Sequence, residues 1–182
     1  MAAGGGGRMT LVSVLTPTIE ERAHYLEECR LSVQAQTIGN VEHVVEHDYE
    51  RTGCSATMNR AAARAAGDWL IPLADDDLLL PRCVEVLLAN ADGADIIYSP
   101  PLVTGNEDRF WFFQAPPVIP SFALIRASLW HELGGYDETL RREEDRDLWI
   151  KAIQAGAVFK RVNEPCWVYR QHQSNKSFAK AA

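Results

Sequence analysis

The chain has 182 residues, 47% of them hydrophobic and 24% charged, with a formal net charge of -7. That length and apolar content fit one domain with its own core and exclude a disordered chain. The acidic balance supplies no basic footprint for a nucleic acid and no attraction to an anionic membrane surface.

The four cysteines, Cys29, Cys54, Cys83 and Cys166, are scattered without a CxxC pair. They are read as reduced thiols of a cytoplasmic protein, not as a zinc site or a disulfide framework. Met1 to Arg8 carries four consecutive glycines and lacks the apolar run of a signal peptide. Residues 1–9 and 177–182 are expected to be disordered tails. No stretch reaches the roughly 20 apolar residues of a membrane span.

In chain order, Thr10 to Thr16 is a β-rich run that Pro17 is expected to stop. His24 to Ala35 comes next as a helix, with Leu26, Cys29 and Val33 at helical spacing. Val41 to Glu46 reads as a strand ending at His47-Asp48. Ser55 to Ala66 is an alanine-rich helix stopped by Gly67. Trp69 to Ala74 is apolar at every position, the mark of a strand buried on both faces, and it runs into Asp75-Asp76-Asp77. Pro81 fits the first turn of a helix carrying Val84, Leu87, Leu88 and Ala91, and Ala94 to Tyr98 is a fourth strand.

Pro100 to Pro120 (ending FWFFQAPPVIP) reads as a loop or edge strand, with Phe110 to Phe113 a candidate platform for a sugar ring. Ser121 to Arg126 is a strand candidate, and Ala127 to Leu133 a helix closed by Gly134-Gly135. Glu144 to Ala155 is helical up to Gly156, and Val158 to Val162 and Cys166 to Arg170 are further strands. Alternating strands and helices imply an α/β fold, here a three-layer α/β/α sandwich around a mostly parallel central sheet. Ligands of such sheets bind beyond the carboxyl ends of the strands, where Asp48 and the aspartate triplet both fall.

Three features carry chemistry. Three adjacent carboxylates repel one another unless a cation relieves them, and hard cations such as Mg²⁺ and Mn²⁺ prefer oxygen ligands. The same triplet also suits a solvated loop or a helix N-terminus. Asp145 shares a helix face with Leu148, Trp149 and Ala152, so it faces inward, where partial burial raises its pKa towards that of a general base. Its simpler reading is a first-turn helix acid. His172 comes after the last strand, either as a ligand or as a surface residue. No GxGxxG, P-loop or nucleophile elbow is present in the chain.

In this order, Val12-Ser13-Val14, Pro17-Thr18, Ser32-Val33, Gln36-Thr37, Met58-Asn59, Ala66-Gly67-Asp68-Trp69-Leu70, the acidic triplet, Gly134-Gly135-Tyr136-Asp137-Glu138, Glu144-Asp145-Arg146-Asp147-Leu148-Trp149 and Tyr169-Arg170-Gln171-His172 resemble family 2 glycosyltransferases of the GT-A fold. The resemblance covers about residues 10–176. It implies one GT-A domain, with residues 10–100 the nucleotide-binding half and 101–176 the acceptor-binding and catalytic half.

The resemblance also implies roles. Asp75 matches the ribose position and Asp76 the metal position of a DxD-type motif. Asp77 and His172 join Asp76 as metal-side candidates, with the separate part of Asp77 unassigned. Pro17, Thr18, Asp48 and Asn59 belong to the nucleotide cradle, and Asp145 matches the catalytic base. The implied cofactor is a divalent metal, Mn²⁺ or Mg²⁺. The implied partners are a nucleotide-diphosphate sugar as donor and a hydroxyl acceptor on a glycan, protein or lipid-linked sugar. The sequence departs from the family pattern at His47, Ala74 and Met58. A sugar-nucleotide nucleotidyltransferase and a non-catalytic sugar- or nucleotide-binding module are the competing readings.

Overall fold

The computed structural model of the chain describes residues 10–104, 119–172 and 175. Both expected tails and the aromatic stretch Phe110 to Phe113 lie outside the described residues.

A six-stranded sheet has the order β2-β1-β3-β7-β5-β8. Its strands are β1 (Val12–Thr18), β2 (Val41–His47), β3 (Trp69–Pro72), β5 (Ile96–Tyr98), β7 (Leu124–Arg126) and β8 (Phe159–Arg161). β1 runs parallel to both β2 and β3, and β5 runs parallel to β8. Only β7, wedged between β3 and β5, is antiparallel to its neighbours.

Alternation along the strands sorts side chains onto two faces. Val12, Val14, Trp69 and Ile71 pack on one face against Cys29 and Val33 of α1 (Ala23–Gln34) and Val84 and Leu87 of α3 (Cys83–Ala89). Leu15 and Leu70 point the other way. They meet Met58 and Ala61 of α2 (Cys54–Arg64), Trp130 of α4 (Ala127–Glu132), and Leu148, Trp149 and Ala152 of α5 (Glu144–Gln154). The three layers expected from the sequence are therefore present, and β3 is buried throughout.

A second, three-stranded sheet, β4-β9-β6, joins Leu78–Leu79, Trp167–Arg170 and Pro101–Thr104. It adds Trp167 to the first core, stacked on Phe122 with ring centroids 4.9 Å apart. The strand expected over Cys166 to Arg170 belongs to this sheet, and Pro101–Thr104 is its edge. None of the four cysteines is in a disulfide. Among the described residues no helix is long and apolar enough to cross a membrane.

Two expectations are corrected. Pro17 does not stop β1, which continues to Thr18. The Thr18 carbonyl accepts the Asp48 N–H on the β2 side, so the backbone of Pro17 faces β3. Pairing with β3 ends at Leu15 and Pro72, and beyond that point a missing N–H costs no ladder bond.

Gly67 does not stop α2, which ends at Arg64 with Ala65 already extended, and the glycine is required by packing instead. A Cβ there would lie 2.3 Å from Ser13 Oγ, 2.7 Å from Ser13 N and 2.8 Å from Trp69 O. Two of those three atoms are backbone of the central strands and have little room to move. Gly67→Ala should therefore destabilise the fold by about 1–3 kcal/mol. Urea denaturation of the two proteins checks this, and an unchanged midpoint would show that β1 and β3 give way freely.

Candidate functional site

The parallel strands β1, β2 and β3 end on one rim, and the residues just past them build the site. At the end of β1, the Thr18 hydroxyl donates to Asp75 Oδ2 at 2.7 Å. Pro17, one residue before it, lies in the last pairs with β2. Past β2, the buried Asp48 carboxylate accepts from Thr52 N and Oγ1, each at 2.8 Å, and from Gly53 N at 2.7 Å. Burial opposes its charge, but those donors and Arg60 outweigh it and hold the carboxyl below its ordinary range. Asp48 thus fixes the turn that launches α2 at Gly53, whose φ is +104°.

The three aspartates after β3 are all buried, and each is satisfied differently. Asp75 accepts from Thr18 and from Arg22 Nε at 2.7 Å. Burial still pushes its carboxyl above the usual range. Asp76 Oδ2 receives three donors: Arg22 Nη2 at 2.6 Å, His172 Nε2 at 2.9 Å and Asn175 Nδ2 at 3.2 Å. Asp77 turns towards β9, where its Oδ1 accepts the Arg170 N–H at 3.1 Å. Its complete burial pushes its carboxyl well above the ordinary aspartate value, with the neighbouring Asp76 charge adding to the effect.

The three metal-side candidates are therefore not side by side. Asp76 and His172 meet, while Asp77 is turned into the backbone of β9. Among the described residues no cluster of three or more His, Cys, Asp or Glu is arranged to hold a metal. Two ligands still fit a divalent cation. Asp76 offers a hard oxygen, and His172, as neutral imidazole, is a common metal ligand. Such cations are often held by only one or two carboxylates together with substrate phosphates.

Three members of this rim, Arg22, Tyr25 and Asn175, escaped the sequence reading. Arg22 bridges Asp75 and Asp76. Tyr25 stacks on the His172 ring with centroids 4.7 Å apart and planes 16° from parallel. The guanidinium carbons of Arg22 and Arg170 each lie 5.2 Å from the Tyr25 ring centre. Asn175 holds the segment closed, donating to Arg170 O at 3.1 Å and accepting from His172 N. A signal existed for Arg22, the one basic residue in Ile19-Glu20-Glu21-Arg22 just past the end of β1.

Asp145 occupies the first turn of α5, after Glu143 in a left-handed conformation with φ 61°. The helix buries Leu148, Trp149 and Ala152, as the stripe predicts. Asp145 Oδ1 accepts the Arg146 N–H at 2.9 Å. Burial raises its pKa, aided by the charges of Glu144 and Glu143. The buried Tyr136 is close enough for the Asp145 charge to push its phenol up further, after burial itself.

Asn59 serves this second region. Its Nδ2 donates to Tyr136 O at 2.8 Å and Glu138 Oε1 at 3.0 Å, and its Oδ1 accepts Tyr136 N–H at 2.9 Å. The carboxamide expected at the nucleotide is engaged by residues 136–138 instead. Gly135, at φ +69°, lets the turn approach, since a Cβ there would lie 2.4 Å from Asn59 Oδ1.

A family model described as glycosyl transferase family 2 matches residues 42–164. An uncharacterized glycosyltransferase of Rickettsia typhi is 25% identical over 193 residues, covering 82% of this chain and 60% of the relative. One from Methanocaldococcus jannaschii is 23% identical over 205 residues, covering 88% of this chain and 70% of the relative. The chain spans only 32% of its Rickettsia conorii relative. Among solved structures, S. aureus TarS 1–349 in complex with UDP-GlcNAc aligns with a TM-score of 0.77 at 15% identity, covering 94% of this chain and 61% of that 1–349 chain. The complex of the same protein with UDP aligns at 0.73 and 15% identity, covering 90% and 61%. These likenesses establish the GT-A fold.

The environment of Asp77 generates a stability prediction. Its folded pKa is raised from 3.8, so its contribution is fully present below that value and is lost as pH rises through the folded pKa. Asp77→Asn keeps the acceptor oxygen for Arg170 and removes the charge. Its melting temperature, measured in EDTA, should equal or exceed that of the wild type at neutral pH, with a flatter dependence on rising pH. A lower melting temperature at neutral pH would show that the carboxylate is needed ionised.

Proposed function

The chain belongs to glycosyl transferase family 2, and on that premise we propose that it moves a sugar from a nucleotide-diphosphate donor to an acceptor hydroxyl with inversion. The observation that carries this reading is the pairing of two unlike acidic centres. One is a turn at the rim of parallel strands, compensated by Arg22 and His172. The other is a half-buried carboxylate at the head of an inward helix face, Asp145.

In this reading Pro17, Thr18 and Asp48 border the nucleotide base, and Asp75 receives the ribose hydroxyls. Asn59 acts at one remove, holding the turn that precedes Asp145. Asp76 and His172 would hold Mn²⁺ or Mg²⁺, which when bound neutralises the diphosphate as it leaves. Asp145 takes the proton of the acceptor hydroxyl as that oxygen attacks the anomeric carbon. The bond to the diphosphate breaks on the opposite side, so one displacement inverts the centre and no covalent enzyme intermediate forms. Residues 10–100 serve the donor and 101–176 the acceptor and the base. TarS is held in complexes with UDP and UDP-GlcNAc, which makes uridine diphosphate sugars the first donors to test. The four cysteines, none of them in a disulfide, support a cytoplasmic location in this reading.

The test is a thermal-shift panel of nucleotide diphosphates and nucleotide sugars with Mn²⁺, Mg²⁺ or EDTA. A ligand at about 100 times its Kd adds roughly 2.7 kcal/mol of stability, a readily measured shift. One nucleotide class should stabilise the chain, with a shift that falls in EDTA. Pyrophosphate release from a nucleoside triphosphate would instead identify a nucleotidyltransferase. Donor binding without transfer to any acceptor would identify a binding module.

Asp145→Asn should lower kcat roughly 10²- to 10⁴-fold while leaving the donor shift in place. Because burial raises the Asp145 pKa, the wild-type rate should fall with acidification already above the ordinary aspartate range. The pH profile of kcat checks this, and wild-type turnover in the variant would remove Asp145 from the mechanism.

A further inference from the structure

We propose that Arg22 is the resident counter-cation of the acidic turn, and that a divalent cation reaches Asp76 by displacing it. The inference rests on the donor-site reading above and concerns which group the cation must compete with. Asp76 Oδ2 already receives Arg22 Nη2 at 2.6 Å, His172 Nε2 at 2.9 Å and Asn175 Nδ2 at 3.2 Å. Those donors fill the two lone pairs of Oδ2, and Oδ1 belongs to the same carboxylate, so a cation at either oxygen meets the Arg22 charge at close range. One of the three must leave before a cation can bind that oxygen.

Arg22 is the one suited to leave. Asn175 is buried and tied at both ends of its carboxamide to the backbone of Arg170 and His172. His172 is itself a ligand, and its ring is stacked on Tyr25. Arg22 carries a permanent charge that an incoming cation repels, and its side chain is 23% exposed, which leaves it a way out. The same guanidinium also neutralises Asp75 through Nε at 2.7 Å. A cation that takes over this compensation releases an arginine at the rim of the donor site. A free guanidinium there is a bidentate partner for a diphosphate. Arg22 is thus a positioning residue that couples cation entry to donor binding.

The experiment titrates the full chain with Mn²⁺ alone, then with Mn²⁺ plus UDP, and follows the EPR signal of free Mn²⁺. Without nucleotide, Arg22→Met should bind Mn²⁺ roughly five- to a hundredfold more tightly than the wild type. Arg22→Lys, which keeps the charge, should stay near the wild type, and Asp76→Asn should abolish binding in both backgrounds. UDP should narrow the difference between wild type and Arg22→Met. Equal or weaker Mn²⁺ binding by an Arg22→Met protein that melts cooperatively overturns the proposal. So does failure of both proteins to bind Mn²⁺ when UDP binds them. Should Arg22→Met not melt cooperatively, Arg22→Gln takes its place in the comparison. Failure of the donor reading looks different: no nucleotide diphosphate binds any variant, and the nucleotide-free Mn²⁺ comparison still decides the role of Arg22.

Discussion

Three consecutive aspartates buried at the end of β3 are the constraint around which the site is organised. Like charges about 4 Å apart cost roughly 4 kcal/mol per pair at an effective dielectric of 20. The chain meets this cost in three ways, and each way ties another element to the turn. Asp75 is satisfied by Thr18 of β1 and by Arg22 before α1. Asp76 draws in Arg22, His172 and Asn175. Asp77 accepts a backbone N–H of β9, and its burial raises its proton affinity. The residues that relieve the repulsion are therefore the residues that shape the rim.

Much of this was legible in the sequence because local pattern and tertiary placement agree. The uninterrupted apolar run before Asp75 can only be a strand buried on both faces, and such a strand delivers the residues after it to the rim. The stripe of Leu148, Trp149 and Ala152 fixed the inward face of α5 and with it the setting of Asp145. Direction within a turn could not be read. The Asp77 N–H bonds back to the Ala74 carbonyl at 3.1 Å, closing a turn that points neighbouring carboxylates in different directions. No spacing rule distinguishes Asp76 from Asp77 beforehand. Arg22 was missed for a related reason, since its partner Asp75 lies 53 residues away and only the fold brings them together. The strand Leu78–Leu79 is too short for any periodicity, so the second sheet was invisible. Pro17 misled because its effect depends on which neighbouring strand its nitrogen faces.

The two halves of the site are not independent. Asn59 lies on α2, in the first half of the chain, yet its carboxamide is spent on the backbone of Tyr136 and on Glu138 in the second. The turn it holds precedes α5, and Gly135 is the residue that permits the close approach. At its other end α2 is launched from the Asp48 turn, where Arg60 also reaches Asp48 Oδ1 at 3.5 Å and Glu46 Oε1 at 3.2 Å. One helix thus spans from the rim at β2 to the turn that leads to Asp145. A shift of the Asp48 turn would be transmitted towards Asp145 through a single rigid element, without a chain of loose loops between them.

The same residue type is thereby set to different chemical tasks by its surroundings. Burial raises Asp75 and Asp145 alike. Asp75 has a guanidinium and a hydroxyl within 2.7 Å, which favour its charged, acceptor-only form. Among the described residues no ion pair involves Asp145, whose nearest charged influences, Glu144 and Glu143, are acidic and raise its proton affinity further. A carboxylate with a cationic partner is a poor base and a good anchor, whereas one raised by burial and like charge takes up a proton readily. Placing one carboxylate beside Arg22 and the other at the head of α5 keeps an anchored acid and a proton-accepting acid apart within a single domain.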